Sequence, residues 1–385
     1  MRPESRSTSG VPRTIVLLLL AVACVQRAPG EGTAADQDST YVMQRVAGNA
    51  LVLPAGFAID VFAERLPSAR FMAVGPDSSV FVSLTSQGRV VRLVDGDGDG
   101  RAEGMTTVLE HLRNPHGLAF RGDTLYVAEE HRVVRGVSPA FRPIEVVVAS
   151  LPSSGGHATR TVVFRDDEML VSVGSSCNLC DERDSRRAAV LSFRSDGSDA
   201  SVFATGLRNS VGLAVHAVTG EVWATNNDRD RLGDDVPPDR VNILRRGGFY
   251  GWPQCYLPLT PNPEYQAQAA RCADAIGPAV TLPAHTAPLG LTFYGGTRFP
   301  AAYRGNLFVA LHGSWDRSFP IGYKVIRIPI DGGRVAGDPI DFISGWQVGR
   351  RSWGRPVDVL TAPDGSLLIS DDQGGRIYRV SYSAR

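Results

Sequence analysis

Basic and imidazole side chains stand directly before a series of short apolar runs in this sequence. They are Arg70, His116, His157 with Arg160, Arg208 with Asn209, His285 and Arg355. Arginine guanidinium groups pair with carboxylates through two hydrogen bonds and also stack on flat rings. A histidine beside them can take a proton from a substrate hydroxyl. If these residues meet in space, they suit an anionic, planar ligand. Taken singly, each arginine could instead pair with an acidic neighbour and only stabilise the fold.

One acidic segment offers hard oxygen ligands. Asp95, Asp97 and Asp99 alternate with glycine and repeat the first half of an EF-hand calcium loop. The twelfth position of that loop is Thr106 instead of the usual glutamate, so the segment is not an EF-hand. We expect it to hold a structural calcium ion, with a solvated acidic turn as the alternative.

Four cysteines lie in the body of the chain, at Cys177, Cys180, Cys255 and Cys272. An even number in an exported chain suggests disulfides, and three pairings can be drawn. We expect the two local pairs, Cys177 with Cys180 and Cys255 with Cys272. The spacing of the first pair also fits half a zinc site or a redox pair, but no second such motif and no βαβ context accompany it.

A single theme recurs six times and must position the basic residues. Each copy has a polar approach, an apolar strand, a turn and a second apolar strand, over residues 70–83, 116–128, 161–173, 211–225, 289–310 and 357–370. Glycine, proline and aspartate separate the strands, and no segment sustains helical periodicity. Six such copies, each with room for two more strands, predict an all-β fold, a six-bladed β-propeller of four-stranded antiparallel blades. A pair of β-sandwiches or an open solenoid is the alternative.

The propeller prediction brings the basic residues together. The innermost strand of each blade lines the central channel, so the residues before these strands should crowd on one face. The ring also needs closure. We expect the early strand over residues 57–62 to become the outer strand of the last blade, beside residues 376–380.

Several motifs in the same order resemble the soluble pyrroloquinoline quinone-dependent sugar dehydrogenases of the glucose/sorbosone dehydrogenase family. They are Gly155-Gly-His-Ala-Thr-Arg160, Gly206-Leu-Arg-Asn209, Gly248-Phe-Tyr-Gly-Trp-Pro253 and Gly354-Arg-Pro-Val-Asp358. Ala284-His-Thr-Ala-Pro-Leu-Gly290, His312-Gly-Ser-Trp-Asp-Arg317 and Gly322-Tyr-Lys324 are closer to the sorbosone dehydrogenase-like branch. The resemblance implies a six-bladed propeller that binds pyrroloquinoline quinone and calcium and oxidises a sugar or sugar-derived aldehyde or hemiacetal.

The resemblance also assigns roles to single residues. His157 falls at the position of the base, and Arg208 at that of the arginine that lies against the quinone carbonyls. Further cofactor contacts fall on Asn209, Arg355, Arg160, His116, His285, Arg317 and Lys324. The backbone carbonyls of Asn227 and Asp228 match the ligands of the catalytic calcium. Val357 departs from the glucose-oxidising members, which carry a second arginine there.

The first residues have the layout of an export signal. Three arginines precede the apolar run 14–25, which is shorter than the roughly 20 residues that span a bilayer. We therefore expect a signal peptide over residues 1–26, a flexible tether over 27–50 and the propeller over 51–385. Residues 21–24 resemble a lipoprotein cleavage box, so the N-terminus is either lipidated at Cys24 or simply cleaved. The protein would be periplasmic or anchored by lipid to the bacterial envelope.

Forty basic residues balance forty acidic ones, so no net field draws the chain to nucleic acid or anionic lipid. We expect a small sugar and a separate electron acceptor as partners. Two other functions compete. A calcium-dependent lactonase would need carboxylate and asparagine ligands around the axis, where this sequence is basic. A non-catalytic propeller that binds another protein would keep the blades without the chemistry.

Overall fold

The computed structural model describes residues 40–383, and its six main sheets are the blades of a propeller. Each blade is an antiparallel sheet of four strands, as the six sequence copies predict. From the axis outward, blade 1 contains Ala69–Val74, Val80–Leu84, Arg89–Val94 and Gly104–Leu109. Blade 2 contains Leu118–Arg121, Thr124–Ala128, Val133–Val137 and Glu145–Val148. Blade 3 contains Val162–Arg165, Glu168–Val173, Ala189–Arg194 and Ser201–Thr205, with Gly248–Phe249 added in parallel at its edge.

The other three blades follow the same order. Blade 4 contains Leu213–Val215, Val222–Asn226, Asp239–Leu244 and Val280–Leu282. Blade 5 contains Pro288–Phe293, Leu307–Leu311, Lys324–Ile328 and Ile340–Ile343. Blade 6 contains Pro356–Thr361, Leu367–Asp371, Arg376–Tyr382 and, as its outer strand, Phe57–Glu64. Short pairs and turns complete the described chain: strands Cys255–Leu257, Thr260–Pro261, Ile330–Asp331, Arg334–Val335, Gln347–Val348 and Arg351–Ser352, and 3₁₀ segments Thr85–Gln87, Pro263–Asp274 and Ala301–Tyr303.

The ring closes through the two ends of the propeller, as predicted. Strand Phe57–Glu64 pairs antiparallel with Arg376–Tyr382, with Phe57 opposite Tyr382 and Glu64 opposite Arg376. The last blade is therefore built from both ends of the propeller, and Phe57–Glu64 covers the edge of Arg376–Tyr382.

A hairpin precedes the first blade and shortens the expected tether. Strand Tyr41–Val46 pairs with Asn49–Pro54, so the chain from residue 41 onward is folded, contrary to a flexible tether that reaches residue 50. The reason is apolar burial, because Leu51 and Leu53 are fully buried in the cluster between blades 5 and 6. Each such side chain contributes about 1.5–3 kcal/mol. The signal segment, Cys24 and the tether up to residue 39 lie outside the described residues.

Hydroxyl groups on second strands fasten one blade to the next at the level of the candidate site. The Ser83 hydroxyl accepts a hydrogen bond from the Phe71 N–H (3.0 Å) and donates to the His116 carbonyl in the next blade (2.8 Å). Thr225 and Ser370 make the equivalent bridges. These bonds fix the start of each neighbouring innermost strand, where the basic residues stand.

Apolar residues close the centre of the ring. The innermost strands of consecutive blades contact one another around the axis. Phe71, Val211, Leu289 and Val357 form a buried cluster among them. Val357 therefore fills the axis with an aliphatic side chain where the resemblance leads one to expect an arginine in the glucose-oxidising members.

Both local disulfides are present, Cys177 with Cys180 and Cys255 with Cys272. Bonded sulfurs do not supply the thiolates that a zinc site needs, so the zinc alternative for Cys177 and Cys180 is excluded. Within residues 40–383, no helix is long and apolar enough to cross a membrane.

Candidate functional site

The basic residues meet around a cavity of about 600 Å³ on one face of the ring. Val211 and Leu289 of the axial cluster form its floor. Of the residues predicted from the sequence, the cavity is lined by Arg70, His157, Arg208, Asn209, Asn227, Asp228, His285 and Arg355. The expected convergence of these side chains is therefore observed.

His157 lies on the blade 3 side of the cavity with one ring nitrogen already engaged. Its Nδ1 is 2.9 Å from the Ser175 carbonyl oxygen. Because a carbonyl can only accept, Nδ1 carries the proton and Nε2 keeps its lone pair. Among the described residues, Nε2 has no hydrogen-bond partner. Burial, reinforced by the neighbouring Arg208 guanidinium, lowers the pKa of His157 to about 4. The ring is therefore neutral at physiological pH and able to accept a proton.

Arg208 is almost completely buried and is held by groups from blades 3 and 4. Its Nη2 donates to Asp230 Oδ2 (2.8 Å) and to Asn178 Oδ1 (2.9 Å), while Nε donates to the Asn178 carbonyl (3.0 Å). Nη1 donates to the Asn227 carbonyl (3.3 Å). The guanidinium is therefore fixed in position at the cavity wall.

The loop after the second strand of blade 4 contributes carbonyl oxygens. Asn227 donates its side-chain amide to the Pro288 carbonyl (2.7 Å), and its own backbone carbonyl accepts Nη1 of Arg208. The Asp228 carboxylate is bound by Arg240 (2.5 Å) in a fully buried pair. Asp228 could therefore serve a metal through its backbone carbonyl but not through its side chain.

Carboxylates also line this part of the cavity, which the sequence prediction of a basic axis missed. Asp230 pairs with Arg208, and His285 Nδ1 lies 3.8 Å from Asp230 Oδ1. The nearby Asp230 carboxylate raises the pKa of His285, although burial opposes it. Burial raises the pKa of Asp239 to about 6. The cavity wall therefore carries both cationic and anionic side chains, and only some of the cations are paired with a carboxylate.

A third histidine, His312, lies on the blade 5 side of the cavity and was not assigned a role from the sequence. His312 Nε2 is 2.9 Å from Asp372 Oδ1, and Arg70 donates to the other oxygen of the same carboxylate (2.8 Å). Burial lowers the pKa of His312 to about 4 despite this carboxylate, with Arg355 and Arg70 acting in the same direction. The Asp372 pKa lies well below its usual range because His312 and Arg70 share its charge.

Arg355 is a half-buried cation at the cavity wall whose hydrogen bonds go to neutral groups. Its Nε and Nη2 donate to the carbonyls of His312 (3.0 Å) and Gly313 (2.7 Å), and its guanidinium lies over the Tyr323 ring. Among the described residues it forms no salt bridge. Burial lowers its pKa. A cation held only by neutral groups at a cavity wall is suited to a carboxylate of a ligand.

Four predicted cofactor residues do not line the cavity. Arg160 is fully buried and donates to the carbonyls of His157 (2.8 Å), Thr159 and Pro152, so it supports the wall from behind. His116 is also fully buried, with Nε2 3.4 Å from Arg70 Nη2. Arg317 binds Asp235 (3.0 Å) outside the cavity, and Lys324 binds Asp341 (2.6 Å) on another surface. The sequence predicted that these four residues contact the cofactor, but it does not specify which way each side chain points.

The acidic segment of blade 1 folds into a compact turn. Ligand oxygens of Asp95, Asp97, Asp99 and Glu103 all lie within 4.8 Å of one another. The two oxygens of Asp95 accept the N–H groups of Gly98 (2.9 Å) and Gly100 (3.0 Å). The carboxylates therefore cluster as a calcium site requires, while their hydrogen bonds also fit a turn that needs no ion.

The missed residues share one position in the blade. Asn178, Asp230, His312 and Asp372 follow second strands, whereas the predicted basic residues of the cavity lie before or at the start of first strands. Because adjacent strands run antiparallel, the start of the first and the end of the second lie at the same edge. A search of the residues that follow each second strand would therefore have identified these four residues.

A family model described as TrAA12-like matches residues 51–383 of this chain. An uncharacterized protein of Borreliella burgdorferi is 30% identical over 358 residues, which cover 86% of this chain and 91% of that protein. A pyrroloquinoline quinone-dependent sugar dehydrogenase of Hypocrea jecorina is 27% identical over 406 residues, 86% of this chain and 90% of that protein. The calcium structure of a Trichoderma reesei carbohydrate-active enzyme of family AA12 superposes with a TM-score of 0.76. The sequence identity is 21%, and the superposition covers 88% of this chain and 99% of that structure.

Proposed function

Because the chain belongs to the TrAA12-like family of soluble pyrroloquinoline quinone-dependent sugar dehydrogenases, we propose that it is a quinoprotein that oxidises a sugar or sugar-derived aldehyde or hemiacetal. One observation about the cavity supports this proposal. A neutral histidine with a free Nε2, a fixed buried arginine and an arginine without a carboxylate partner among the described residues line the same cavity.

His157 acts as the base in this proposal. The Ser175 carbonyl holds the proton on Nδ1, so Nε2 receives the proton of the substrate hydroxyl. When bound, pyrroloquinoline quinone would supply the carbon that accepts a hydride from the substrate carbon that bears this hydroxyl. Arg208, next to His157, would donate from its fixed position to the quinone oxygen on which negative charge develops.

The charges of the cavity fit an anionic, planar group. Arg355 would bind a carboxylate, because its present partners are neutral carbonyls. Asn209 lines the wall beside Arg208 and would contribute a further hydrogen bond. Arg70 lies at the same wall, but Asp372 already neutralises it. The deeply buried Arg160 and His116 would support this arrangement without touching the ligand.

Calcium is proposed at two places. Asn227 and Asp228 line the cavity, and their backbone carbonyls would hold an ion beside the quinone. The carboxylates of Asp95, Asp97 and Asp99 would hold a structural ion in blade 1.

We also propose that the protein is exported and either cleaved after residue 26 or lipidated at Cys24. The two disulfides suit an oxidising compartment. A separate protein or small molecule would then remove the electrons.

Reconstitution tests the proposed function. Purified protein is mixed with pyrroloquinoline quinone and calcium, the binding of the quinone is followed by its absorption, and dye reduction is assayed with a panel of aldoses. We expect saturable binding that requires calcium and dye reduction that requires the sugar. Binding of neither the quinone nor a sugar would favour the protein-binding propeller, and hydrolysis of lactones without dye reduction would favour the lactonase.

A further inference from the structure

We propose that Asn178 is a positioning residue that holds Arg208 and the blade 4 loop in register, and that the Cys177–Cys180 disulfide fixes Asn178 for this purpose. The proposal deepens the proposed function, on which the role of Arg208 rests. The geometric part, that Asn178 positions these groups, can be tested without any cofactor.

Asn178 contacts Arg208 through two acceptors. Its carbonyl oxygen receives Arg208 Nε (3.0 Å), and its Oδ1 receives Nη2 (2.9 Å). Two hydrogen bonds from one side of a planar guanidinium fix both its place and its rotation. The salt bridge from Nη2 to Asp230 fixes only one point of the group.

Asn178 also forms hydrogen bonds with the neighbouring loop of blade 4. Its Oδ1 accepts the Asp230 N–H (2.8 Å), and its Nδ2 donates to the Asp230 carbonyl (3.0 Å). This reciprocal pair joins the loop of blade 3 to the loop that carries Asn227 and Asp228. Trp252 Nε1 adds a further bond to the Asn178 carbonyl (3.3 Å). All polar atoms of the Asn178 side chain therefore have partners in the structure.

The disulfide restricts the short loop on which Asn178 stands. Cys177 and Cys180 enclose only two residues, so their bond removes most alternative conformations of Asn178. The same loop touches the support of His157. The Ser175 hydroxyl donates to the Cys177 carbonyl (2.6 Å) and lies 3.0 Å from His157 Nδ1.

Close packing between this loop and the segment before His157 requires glycine. Gly155 has φ +96°, and a Cβ there would lie 2.8 Å from the Ser176 carbonyl oxygen. Gly156 donates its N–H to the same oxygen (2.7 Å). The Gly-Gly-His sequence thus brings His157 against the disulfide loop, and both proposed reactive groups depend on one short segment.

The test compares Asn178→Ala with Asn306→Ala, a matched control. Like Asn178, the buried Asn306 bonds two backbone groups through its side chain, the Ala302 carbonyl and the Ile330 N–H. It lies just before the second strand of blade 5, away from the cavity. Asn178→Asp keeps the oxygen acceptor for Arg208, loses the donor to Asp230 and adds a negative charge beside Arg208. It should therefore recover part of the turnover that Asn178→Ala loses, and it is compared in turnover alone because the added charge itself raises the pKa of His157.

The first measurement is the NMR titration of His157 in protein without quinone. The charged groups that act on His157 are Arg208, Asp230 and Arg160. Arg208 lowers the pKa of His157, so its displacement in Asn178→Ala should raise that pKa towards 6.5, as Arg208→Ala should. Asn306→Ala should leave it unchanged.

The second measurement is quinone binding and sugar turnover. A misplacement of about 1 Å can reduce turnover roughly 100-fold, so we expect Asn178→Ala to lose about 10- to 100-fold in kcat with little change in KM for the sugar. Quinone binding should weaken by a few-fold. If Arg208→Ala changes the His157 titration and Asn178→Ala does not, the positioning role is refuted. If the titrations behave as expected but wild type binds no quinone, the proposed function fails and the positioning role stands.

The disulfide is tested by Cys177→Ser/Cys180→Ser against Cys255→Ser/Cys272→Ser, with circular dichroism to confirm that each variant is folded. The first double variant should raise the pKa of His157 and lower kcat in the same direction as Asn178→Ala. The second should reduce thermal stability without either effect. Equal behaviour of the two variants in the titration would refute the role of the Cys177–Cys180 bond.

Discussion

His157 and His312 lie on two sides of one cavity and share a pKa lowered to about 4, but their environments differ. His157 donates through Nδ1 to a neutral carbonyl, whereas His312 is bonded through Nε2 to a carboxylate. A carboxylate ordinarily raises the pKa of a histidine. Here burial together with Arg355 and Arg70 outweighs Asp372, whose charge is already shared with Arg70.

In the proposed function, this difference separates the base, His157, from a structural histidine, His312. His312 is one link in a chain of hydrogen bonds that joins blades 5, 6 and 1 through Asp372 and Arg70. Among the described residues, each ring has one nitrogen without a hydrogen-bond partner, but His157 stands beside Arg208 and is not bonded to a carboxylate. A similar pKa therefore does not imply a similar role, and the neighbours of each ring separate the two.

The largest expected effect separates the two histidines directly. His157→Ala should lose about 10²- to 10⁴-fold in kcat, the usual range for a general base, while quinone binding stays within a few-fold of wild type. Steady-state kinetics on quinone-loaded protein, with sugar and dye saturating, measure this. A greater loss of turnover in His312→Ala would reverse the assignment.

Arg208→Ala should fail in a different way from His157→Ala. Removal of a fixed donor to developing charge costs about 10²- to 10³-fold in kcat, and quinone binding should weaken as well. Titration of quinone into the variant and kinetics at saturating quinone separate the two losses. Unchanged binding together with unchanged kcat would show that this arginine serves only the fold.

The pH dependence follows from the lowered pKa of His157. A base must be unprotonated, so kcat/KM should be constant above about pH 5 and fall about tenfold per unit as the pH drops below the pKa of about 4. In Arg208→Ala, the acid limb should move to higher pH because a positive charge has been removed. A wild-type limb near pH 6.5 would mean that burial does not control the base.

A smaller effect is expected at the other histidine. His312→Ala leaves Asp372 paired with Arg70 and removes only one link, so we expect a reduction of about 3- to 10-fold in quinone affinity and less in kcat. Fluorescence or calorimetric titration with the quinone measures the change. Asp372→Asn should have a larger effect than His312→Ala, because it also leaves Arg70 without its counter-charge.

The smallest effect should come from Lys324, which the sequence assigned to the cofactor. Its ammonium group binds Asp341 away from the cavity, and exposed pairs of this kind contribute about 0–1 kcal/mol. Lys324→Ala should change quinone affinity and kcat by less than twofold in the same assays. A loss of quinone binding would show that the blade 5 loops rearrange around the ligand.

The fold and half of the site could be predicted from the sequence because their signals repeat. Six copies of a strand pair specify six blades, and the residue before each first strand is known once the copies are aligned. Asn178, Asp230 and Asp372 escaped because they stand after second strands, in loops whose lengths and conformations differ from blade to blade. Arg160 was predicted to contact the cofactor and does not line the cavity, for another reason. Its backbone lies near the cavity, but its long side chain donates to backbone carbonyls behind the cavity wall, a direction that sequence spacing alone does not specify.

The outer strand of blade 6 affects the order and the rate in which the protein folds. Phe57–Glu64 has no partner until Arg376–Tyr382 has been synthesised, because no nearer segment supplies that pairing. Such distant contacts raise the contact order and slow folding, and they keep the N-terminal part of the ring incomplete in the meantime. This delay would suit the proposed export, in which the chain crosses a membrane before it folds. The pairing also predicts that deletion of either Phe57–Glu64 or Arg376–Tyr382 destabilises the same blade, since both strands belong to one sheet.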